Sequence, residues 1–122
     1  MAGRIGHVEW PAQDAERAMG FYRGLFGWEF QDAGMPGIEY HMVRTGPEQG
    51  GAVYPSDDGK RGPVVYFDTD DIDASVAKVR ELGGQAEDKQ PIPHVGWFAR
   101  CTDTEGNEFS LFQSDESVQM PS

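Results

Sequence analysis

The chain has 122 residues, the size of one domain, and its 21 acidic and 10 basic residues give a formal net charge of −11. Nucleic acids and anionic membranes are bound through basic patches, so this composition excludes both as partners. No apolar run reaches the roughly 18 residues of a membrane span, and the first residues lack the apolar segment of a signal peptide. Cys101 is the only cysteine, which excludes an intrachain disulfide. We therefore expect a cytoplasmic protein.

The first half of the sequence predicts a strand, a helix and three short strands. Residues 5–10 are apolar or aromatic with polar interruptions, as in a strand. Asp14 stands at a helix N-cap position, and Gly27 is a residue type that ends helices. Between them, one apolar stripe of the kind that faces a core is formed by Ala18, Phe21, Tyr22, Leu25 and Phe26. Further strands are predicted at 28–31, 38–43 and 50–55.

The second half repeats this order. Residues 62–69 predict a strand, and Asp71 is an N-cap. A second helical stripe is formed by Ile72, Val76, Val79 and Leu82, and glycines 83 and 84 end the helix. Strands follow at 95–102 and 107–113, with a weak one predicted near 85–88.

A constant shift of 57 residues lays one half of the chain on the other. It aligns five identical pairs: Val8 with Val65, Asp14 with Asp71, Arg23 with Arg80, Leu25 with Leu82 and Gly27 with Gly84. The pattern predicts an α+β fold in which one domain contains tandem βαβββ modules, 1–57 and 58–114. The polar residues 115–122 predict a flexible tail.

Three segments carry a family resemblance: HVEWPAQDAERAMGFYRGLFGWEF at 7–30, VYFDTDDIDASVAKVRELGGQ at 65–85 and DTEGNEFSLFQ at 103–113. They resemble the two module openings and the closing turn and strand of the vicinal oxygen chelate superfamily. That superfamily includes glyoxalase I, bleomycin-resistance proteins, fosfomycin-resistance enzymes and extradiol dioxygenases. The subgroup that this sequence is most similar to is the glyoxalase-like proteins. Thr104 stands where the family's closing turn usually has proline.

The resemblance implies a glyoxalase-like fold in which the two modules form a curled mixed sheet around a pocket. It also implies a homodimer. In metal-dependent members, the first and last strands of each module each supply one His or Glu ligand to a divalent ion. That ion activates a vicinal pair of oxygens.

The ligand positions that the resemblance implies are mostly occupied by other residue types. His7 has the spacing of the first-strand histidine, whereas the same position in the second module is Val64. The last strand of the first module offers only residues 52–54, Ala-Val-Tyr, and Ser110 stands at the glutamate position of the second module. A stable site needs three or more protein ligands, so we expect no metal. Shifted ligands would have to come from Glu9, His41, His94 or Glu108.

His7 and Glu9 form the candidate catalytic pair. They are two residues apart on a strand, so both side chains lie on the same side. Histidine titrates near neutral pH and can act as a base, while Glu9 could hold its tautomer or raise its pKa. The alternative is that His7 is a hydrogen-bonded packing or pocket residue.

Strand alternation extends the predicted pocket lining. If His7 points inward, Val64, Tyr66 and Asp68 point inward by the repeat, and an inward Ser110 brings Glu108 and Phe112 with it. Trp97 and Tyr54 are expected at the rim. The predicted ligand-binding residues are His7, Glu9, Tyr66, Trp97, Ser110 and Phe112. Such an aromatic and partly acidic lining favours a planar or cationic organic molecule, although Tyr66 and Phe112 could simply fill the core.

Three kinds of function are compatible with these observations. The first is a small-molecule-binding protein without a metal, as the resemblance to drug-sequestering members implies. The second is a glyoxalase-like lyase, isomerase or dioxygenase that uses shifted metal ligands, or a metal-free acid–base enzyme that uses His7 and Glu9. The third is a dimeric module without a ligand. The missing ligands favour the first.

Overall fold

The computed structural model describes residues 3–57 and 62–119. They divide into two compact units, residues 6–57 with 62–64, and residues 65–119 with 3–5. The elements are β1 (Ile5–Ala12), α1 (Ala15–Phe26), β2 (Phe30–Asp32), β3 (His41–Gly46), β4 (Gln49–Pro55), β5 (Val64–Asp68), α2 (Ile72–Glu81), β6 (Gln85–Ala86), β7 (Gln90–Ile92), β8 (Gly96–Thr102) and β9 (Glu108–Ser114). No helix in these described ranges is long and apolar enough to cross a membrane.

The first unit has the strand order β2-β3-β4-β1. Its first and last strands, β1 and β4, pair in parallel, with Glu9 beside Ala52, whereas β3 pairs with both β2 and β4 antiparallel. Helix α1 connects β1 to β2. This is the predicted βαβββ module, although β1 continues through Pro11 and Ala12, where the sequence predicted its end.

Helix α1 begins and ends at the predicted residues. The Asp14 side chain accepts a hydrogen bond from the backbone N–H of Arg17 at 2.9 Å, which satisfies one of the unpaired donors at a helix N-terminus. Gly27 has a φ of 73°, in the left-handed region that favours glycine, and its N–H donates to the carbonyl of Arg23. Both cap predictions are confirmed.

The buried face of α1 differs from the predicted stripe. The core beneath the helix is formed by Ala15, Met19 and Val53, with the partly buried Trp10, Ala12, Ala18 and Phe30 packed against it. Phe21, Leu25 and Phe26 remain 58–63% exposed. The prediction was wrong for these three because a small Ala and a flexible Met fill the space above the strands. The rings of Tyr22 and Phe26 instead pack against Trp28, with ring centroids 5.1 Å from that of Trp28 in both cases.

The second unit has the order β5-β9-β8-β6, with β7 also paired to β8. Again the first and last strands pair in parallel, with Tyr66 beside Ser110. Asp71 caps α2 by accepting from the N–H of Ala74 at 3.1 Å, as predicted. The core beneath this helix is formed by Ile72, Val76, Ala99, Cys101 and Leu111. The second βαβββ module is therefore present, and β7 is an additional short strand that the sequence did not predict.

The two compact units have other bounds than the predicted modules 1–57 and 58–114. Residues 3–5 belong with the second unit, because the N–H of Gly3 donates to the carbonyl of Asp68 and the N–H of Asp68 donates to that of Arg4. The division falls after Val64, not after residue 57, and residues 58–61 lie outside the described ranges.

The predicted flexible tail is docked over residues 115–119. The N–H of Asp115 donates to the carbonyl of Val95 at 2.9 Å, and the N–H of His94 donates to that of Val118 at 2.8 Å. Val118 is only 5% exposed, so one apolar residue in a polar run anchors the segment. Residues 120–122 lie outside the described ranges.

Candidate functional site

The candidate site is the sheet face of the first unit that lies opposite α1. Trp10, Ala12 and Val53 pack in the core under the helix. Side chains alternate across a strand, so His7 and Glu9 on β1 and Ala52 and Tyr54 on β4 lie on the other face. The register agrees, because it places Glu9 beside Ala52 and Pro11 beside Tyr54.

Tyr40 connects the two predicted catalytic residues. Its hydroxyl lies 2.7 Å from Nε2 of His7 and donates a hydrogen bond to Oε2 of Glu9, also at 2.7 Å. Tyr40 directly precedes β3, and β4 lies between β3 and β1, so the side chains of Tyr40, His7 and Glu9 together bridge two strand spacings, about 10 Å. Ala52, beside Glu9 on β4, is 0% exposed and is small enough to let a ring pass over it. The result is a cluster that we call the His7–Tyr40–Glu9 cluster.

The rings of this cluster stack on each other and on Tyr54. The rings of Tyr40 and Tyr54 stack with centroids 6.2 Å apart, and the ring of His7 lies nearly parallel to that of Tyr40 at 6.1 Å. All three side chains are half-buried. The face therefore presents flat apolar surfaces next to hydrogen-bonding groups, as small-molecule sites do.

Burial sets the charge of His7. Desolvation lowers the pKa of His7 below its ordinary value, and the nearby negative charge of Glu9 offsets only part of this effect. The imidazole is consequently neutral at pH 7. A neutral imidazole has one nitrogen that donates and one that accepts, so its tautomer matters for what it can bind.

Sequence reasoning found His7 and Glu9 but missed Tyr40. The available signal was weak: Tyr40 and Met42 alternate with His41 and Val43, which places Tyr40 on one face of a predicted strand. Which face this is depends on the register, in which His41 is beside Val53 on the α1 side. Nothing local in the sequence shows that a side chain from the third strand of the module reaches the first.

The remaining predicted ligand-binding residues belong to the second unit. Tyr66 pairs with Ser110, which is 2% exposed, and Phe112 pairs with Asp68. These residues lie on the face opposite the α2 core, because their strand neighbours Phe67 and Leu111 pack in that core.

Trp97 lies on the other face from Ser110 and Phe112. It packs against the α2 core, its Nε1 donates to the Asp115 carboxylate at 3.4 Å, and Lys89 Nζ lies 4.4 Å from its ring centroid. The side chains opposite Phe112 and Ser110 on β8 are instead Phe98 and Arg100. The predicted position of Trp97 at a pocket rim is therefore wrong, because the strand phase of β8 turns it toward the helix.

The strand pairing identifies the residue of the first module that is equivalent to Ser110. Glu9 pairs with Ala52 on β4, and its repeat equivalent Tyr66 pairs with Ser110 on β9. Ala52 thus corresponds to Ser110, one residue away from the strict shift of 57. Both are small, buried residues, and the side chain of Ala52 has no atom that could bind a metal.

The donor set does not fit the family's metal. Val64 is a buried aliphatic side chain, and Val53 and His41 lie on the α1 side of their sheet. Nε2 of His41 lies 2.8 Å from the Glu39 carboxylate. Within 3–57 and 62–119, no group of three His, Cys, Asp or Glu residues is arranged to hold a metal ion. Opposite α1 in the first unit, His7 and Glu9 share a face, but two such donors are fewer than the three that a metal site needs.

Comparison with known proteins agrees with this architecture. The profile of the glyoxalase-like domain matches residues 7–112. A glyoxylase-like domain-containing protein of Didymella fabae is 34% identical over 118 residues, which cover 89% of this chain and 92% of that protein. The anthracycline biosynthesis protein DauV of a Streptomyces species is 32% identical over 94% of this chain, which spans 43% of that relative's length.

Among solved structures, the methylmalonyl-CoA epimerase of Streptomyces coelicolor in complex with 2-nitronate-propionyl-CoA is similar in fold. The TM-score is 0.71 with 19% identity, over 99% of this chain and 100% of that one. At this identity the likeness shows the fold alone. The matched profile, the Didymella relative and the paired βαβββ modules together establish that this chain belongs to the glyoxalase-like domain family, within the vicinal oxygen chelate superfamily.

Proposed function

We propose that the chain binds a small organic molecule at the His7–Tyr40–Glu9 cluster, without the metal that many superfamily members use. The observation that carries the proposal is the position of the Tyr40 hydroxyl, 2.7 Å from both His7 Nε2 and Glu9 Oε2. A tyrosine bridge of this kind organises a histidine and a carboxylate for hydrogen bonding. Stacked rings beside it supply apolar contact area.

The competing function is a metal-dependent lyase, isomerase or dioxygenase with shifted ligands. A divalent ion would need His7 Nε2 and the Glu9 carboxylate turned toward it, together with a third protein ligand. Here Nε2 and one carboxylate oxygen contact a tyrosine hydroxyl, and Ala52 occupies the adjacent last-strand position. The geometry therefore favours recognition by hydrogen bonds and stacking.

Two names among the similar proteins support an organic ligand. DauV is described as an anthracycline biosynthesis protein, and the Streptomyces coelicolor epimerase is in complex with a CoA ester. Both names concern proteins that handle organic molecules. They support the class of ligand and leave its identity to experiment.

Metal content is the decisive measurement. Untagged protein purified without chelators is analysed for zinc, nickel, iron and manganese, beside the variants His7→Ala and His41→Ala. We expect substoichiometric metal that neither variant changes. Near-stoichiometric metal that is lost in His7→Ala and kept in His41→Ala would overturn the proposal and favour the metalloenzyme.

Ligand binding is the complementary measurement. A thermal-shift screen of planar aromatic and cationic organic molecules should find compounds that raise the Tm of the wild type, since a ligand that binds only the folded state stabilises it. The shift should be largely lost in His7→Ala and kept in His41→Ala. Equal shifts in all three proteins would place the binding elsewhere and contradict the proposal.

We also propose a homodimer, as the family resemblance implies. Phe21, Leu25 and Phe26 on α1 are large apolar side chains that are more than half exposed in the single chain. Light scattering of the wild type should give twice the mass of one chain, and Leu25→Asp should reduce it to a single mass. A wild-type protein that stays monomeric at high concentration would contradict this.

A cytoplasmic location completes the proposal. Cys101 is buried, and desolvation raises its pKa to about 11, so its thiol is protonated and unreactive at neutral pH. A chain with one inert thiol suits a reducing compartment. Fractionation of cells that express the full-length protein checks this expectation.

A further inference from the structure

The two short contacts of Tyr40 limit where the protons of the cluster can be. Each contact needs one hydrogen between its two heavy atoms, but the Tyr40 hydroxyl has only one to give. That hydrogen is donated to the Glu9 carboxylate. The contact between the Tyr40 oxygen and His7 Nε2, at 2.7 Å, must then be filled by a hydrogen on Nε2. A bare Nε2 would place two lone pairs against each other.

We infer that Tyr40, held by Glu9, is a positioning residue that fixes neutral His7 as the Nε2–H tautomer, so that the site selects ligands with a hydroxyl donor. The inference deepens the proposed binding function and rests on it. With the hydrogen on Nε2, the lone pair of the imidazole is on Nδ1. The cluster then offers two kinds of acceptor to a ligand, the Nδ1 nitrogen and the Glu9 carboxylate.

The ligand class follows from these acceptors and their surroundings. Phenols and enols combine a flat apolar body with a hydroxyl donor, and the rings of Tyr40 and Tyr54 provide stacking surfaces. A ligand hydroxyl can replace an existing partner of either acceptor. The preference of the site therefore depends on whether the ligand presents a hydrogen-bond donor. A methyl ether of the same shape lacks the donor and leaves an acceptor unsatisfied on binding.

The opposite proton arrangement gives opposite chemistry. If Glu9 were protonated, it would donate to Tyr40, Tyr40 would donate to Nε2, and His7 would be the Nδ1–H tautomer. The imidazole would then present a donor to a ligand and would favour carbonyl and ether oxygens. The lowered pKa of His7 supports a neutral ring in either case, so the two arrangements differ in the tautomer of His7 and in the proton on Glu9.

Nitrogen NMR of protein labelled at histidine measures the tautomer directly. The chain has three histidines, and His7→Gln assigns the His7 signals by their loss. At a pH where the ring is neutral, we expect Nε2 of wild-type His7 in the protonated range and Nδ1 in the unprotonated range. In Tyr40→Phe both nitrogens should move toward the average values of a mixed population. An Nδ1–H signature in the wild type would overturn the inference.

A second variant and an internal control distinguish a change of the His7 tautomer from a general loss of structure. Glu9→Gln can donate to Tyr40 through its amide, so it should increase the Nδ1–H population without removing the tyrosine. His41, whose Nε2 lies 2.8 Å from Glu39, should keep its signals in both variants. Signals of His7 that stay unchanged in Tyr40→Phe would show that Tyr40 does not set the tautomer.

Ligand preference is tested with a matched pair, 2-naphthol and 2-methoxynaphthalene. Wild-type protein should bind the naphthol at least about tenfold more tightly, and Tyr40→Phe should reduce that ratio. Equal affinities, or no binding of either probe, would overturn the ligand class. This failure is distinct from failure of the proposed function, which the metal analysis and the His7→Ala thermal-shift screen decide.

Discussion

The two modules share one architecture and differ in their chemistry. Each has a capped helix and a parallel pair of first and last strands, with Glu9 beside Ala52 in one and Tyr66 beside Ser110 in the other. Among the residues that the structure describes, only those of the first module place a histidine, a tyrosine and a carboxylate in hydrogen-bond contact. The repeat thus keeps its helix-capping residues and its strand pairing, whereas the side chains on the face opposite each helix differ.

The buried positions of the two helices can be compared in the same way. The strict shift of 57 places Ala15 opposite Ile72 and Met19 opposite Val76, and these four residues are the buried positions of α1 and α2. The same two positions therefore hold each helix on its sheet. They contain different side chains because the neighbouring core differs, with Trp10 and Phe30 in the first module and Phe67 and Phe109 in the second.

The largest expected effect is a loss of stability when Ile72 is replaced by alanine, the residue type that its counterpart in the first module already has. Ile72→Ala should lower the free energy of unfolding by about 3 kcal/mol, since it leaves a cavity at a position that is 1% exposed. Urea denaturation measures it. Leu82→Ala, at a position 66% exposed, is the control and should stay within about 0.5 kcal/mol of wild type.

A smaller effect is expected from Tyr40→Phe, which removes the contact that distinguishes the first module. The half-buried His7 and Glu9 each lose a hydrogen bond, so the free energy of unfolding should fall by about 1–3 kcal/mol. Tyr22→Phe keeps its ring stacked beside Trp28 and should change stability by less than about 0.5 kcal/mol. Equal losses in the two variants would argue against a special role for Tyr40.

Gly20→Ala tests the helices at a position where they differ, because the shift places Gly20 opposite Ala77. A Cβ at Gly20 would meet no atom within 4 Å. The substitution should raise the free energy of unfolding by about 0.5–1 kcal/mol, because glycine is a poor helix former. Chemical denaturation under dilute conditions measures the gain. A loss of stability would indicate that another surface needs the space at Gly20.

The smallest expected effect is the pH dependence that His7 contributes. Burial lowers its pKa in the folded chain, so the unfolded chain binds the proton more tightly. The free energy of unfolding should therefore decrease as the pH falls below about 6.5 and recover as it rises. Denaturation midpoints measured across this range should show a smaller slope in His7→Gln than in the wild type. Hydrogen bonds lower the pKa values of Asp103 and Asp115, and these two carboxyls affect the free energy of unfolding in a more acidic pH range.

Local signals in the sequence predicted most of the fold. Asp14, Gly27 and Asp71 act within one turn of their own helices, so their neighbours along the chain are sufficient to identify them. The period of two in the strands likewise identified His7 and Glu9 as sharing a face. These features depend on contacts between residues a few positions apart.

Features that depend on contacts across strands were missed or wrong. Tyr40 reaches His7 over an intervening strand, and the phase of β8 turns Trp97 toward the helix. The α1 stripe was predicted from its large side chains, although the residues of α1 that pack in the core on the sheet are Ala15, Ala18 and Met19. Val118 looked like part of a polar tail because its burial depends on residues more than twenty positions away.

The parallel pairing of first and last strands also has a consequence for the order of folding. In each module it closes a loop of about 44 residues, and the entropy of closure grows only with the logarithm of loop length. Neither module therefore gains a kinetic advantage from its topology. Which module folds first must therefore depend on contacts between residues that are close in sequence. We expect the longer antiparallel ladder of β8 and β9, from Gly96 to Ser114, to give that advantage to the second module, which does not contain the His7–Tyr40–Glu9 cluster.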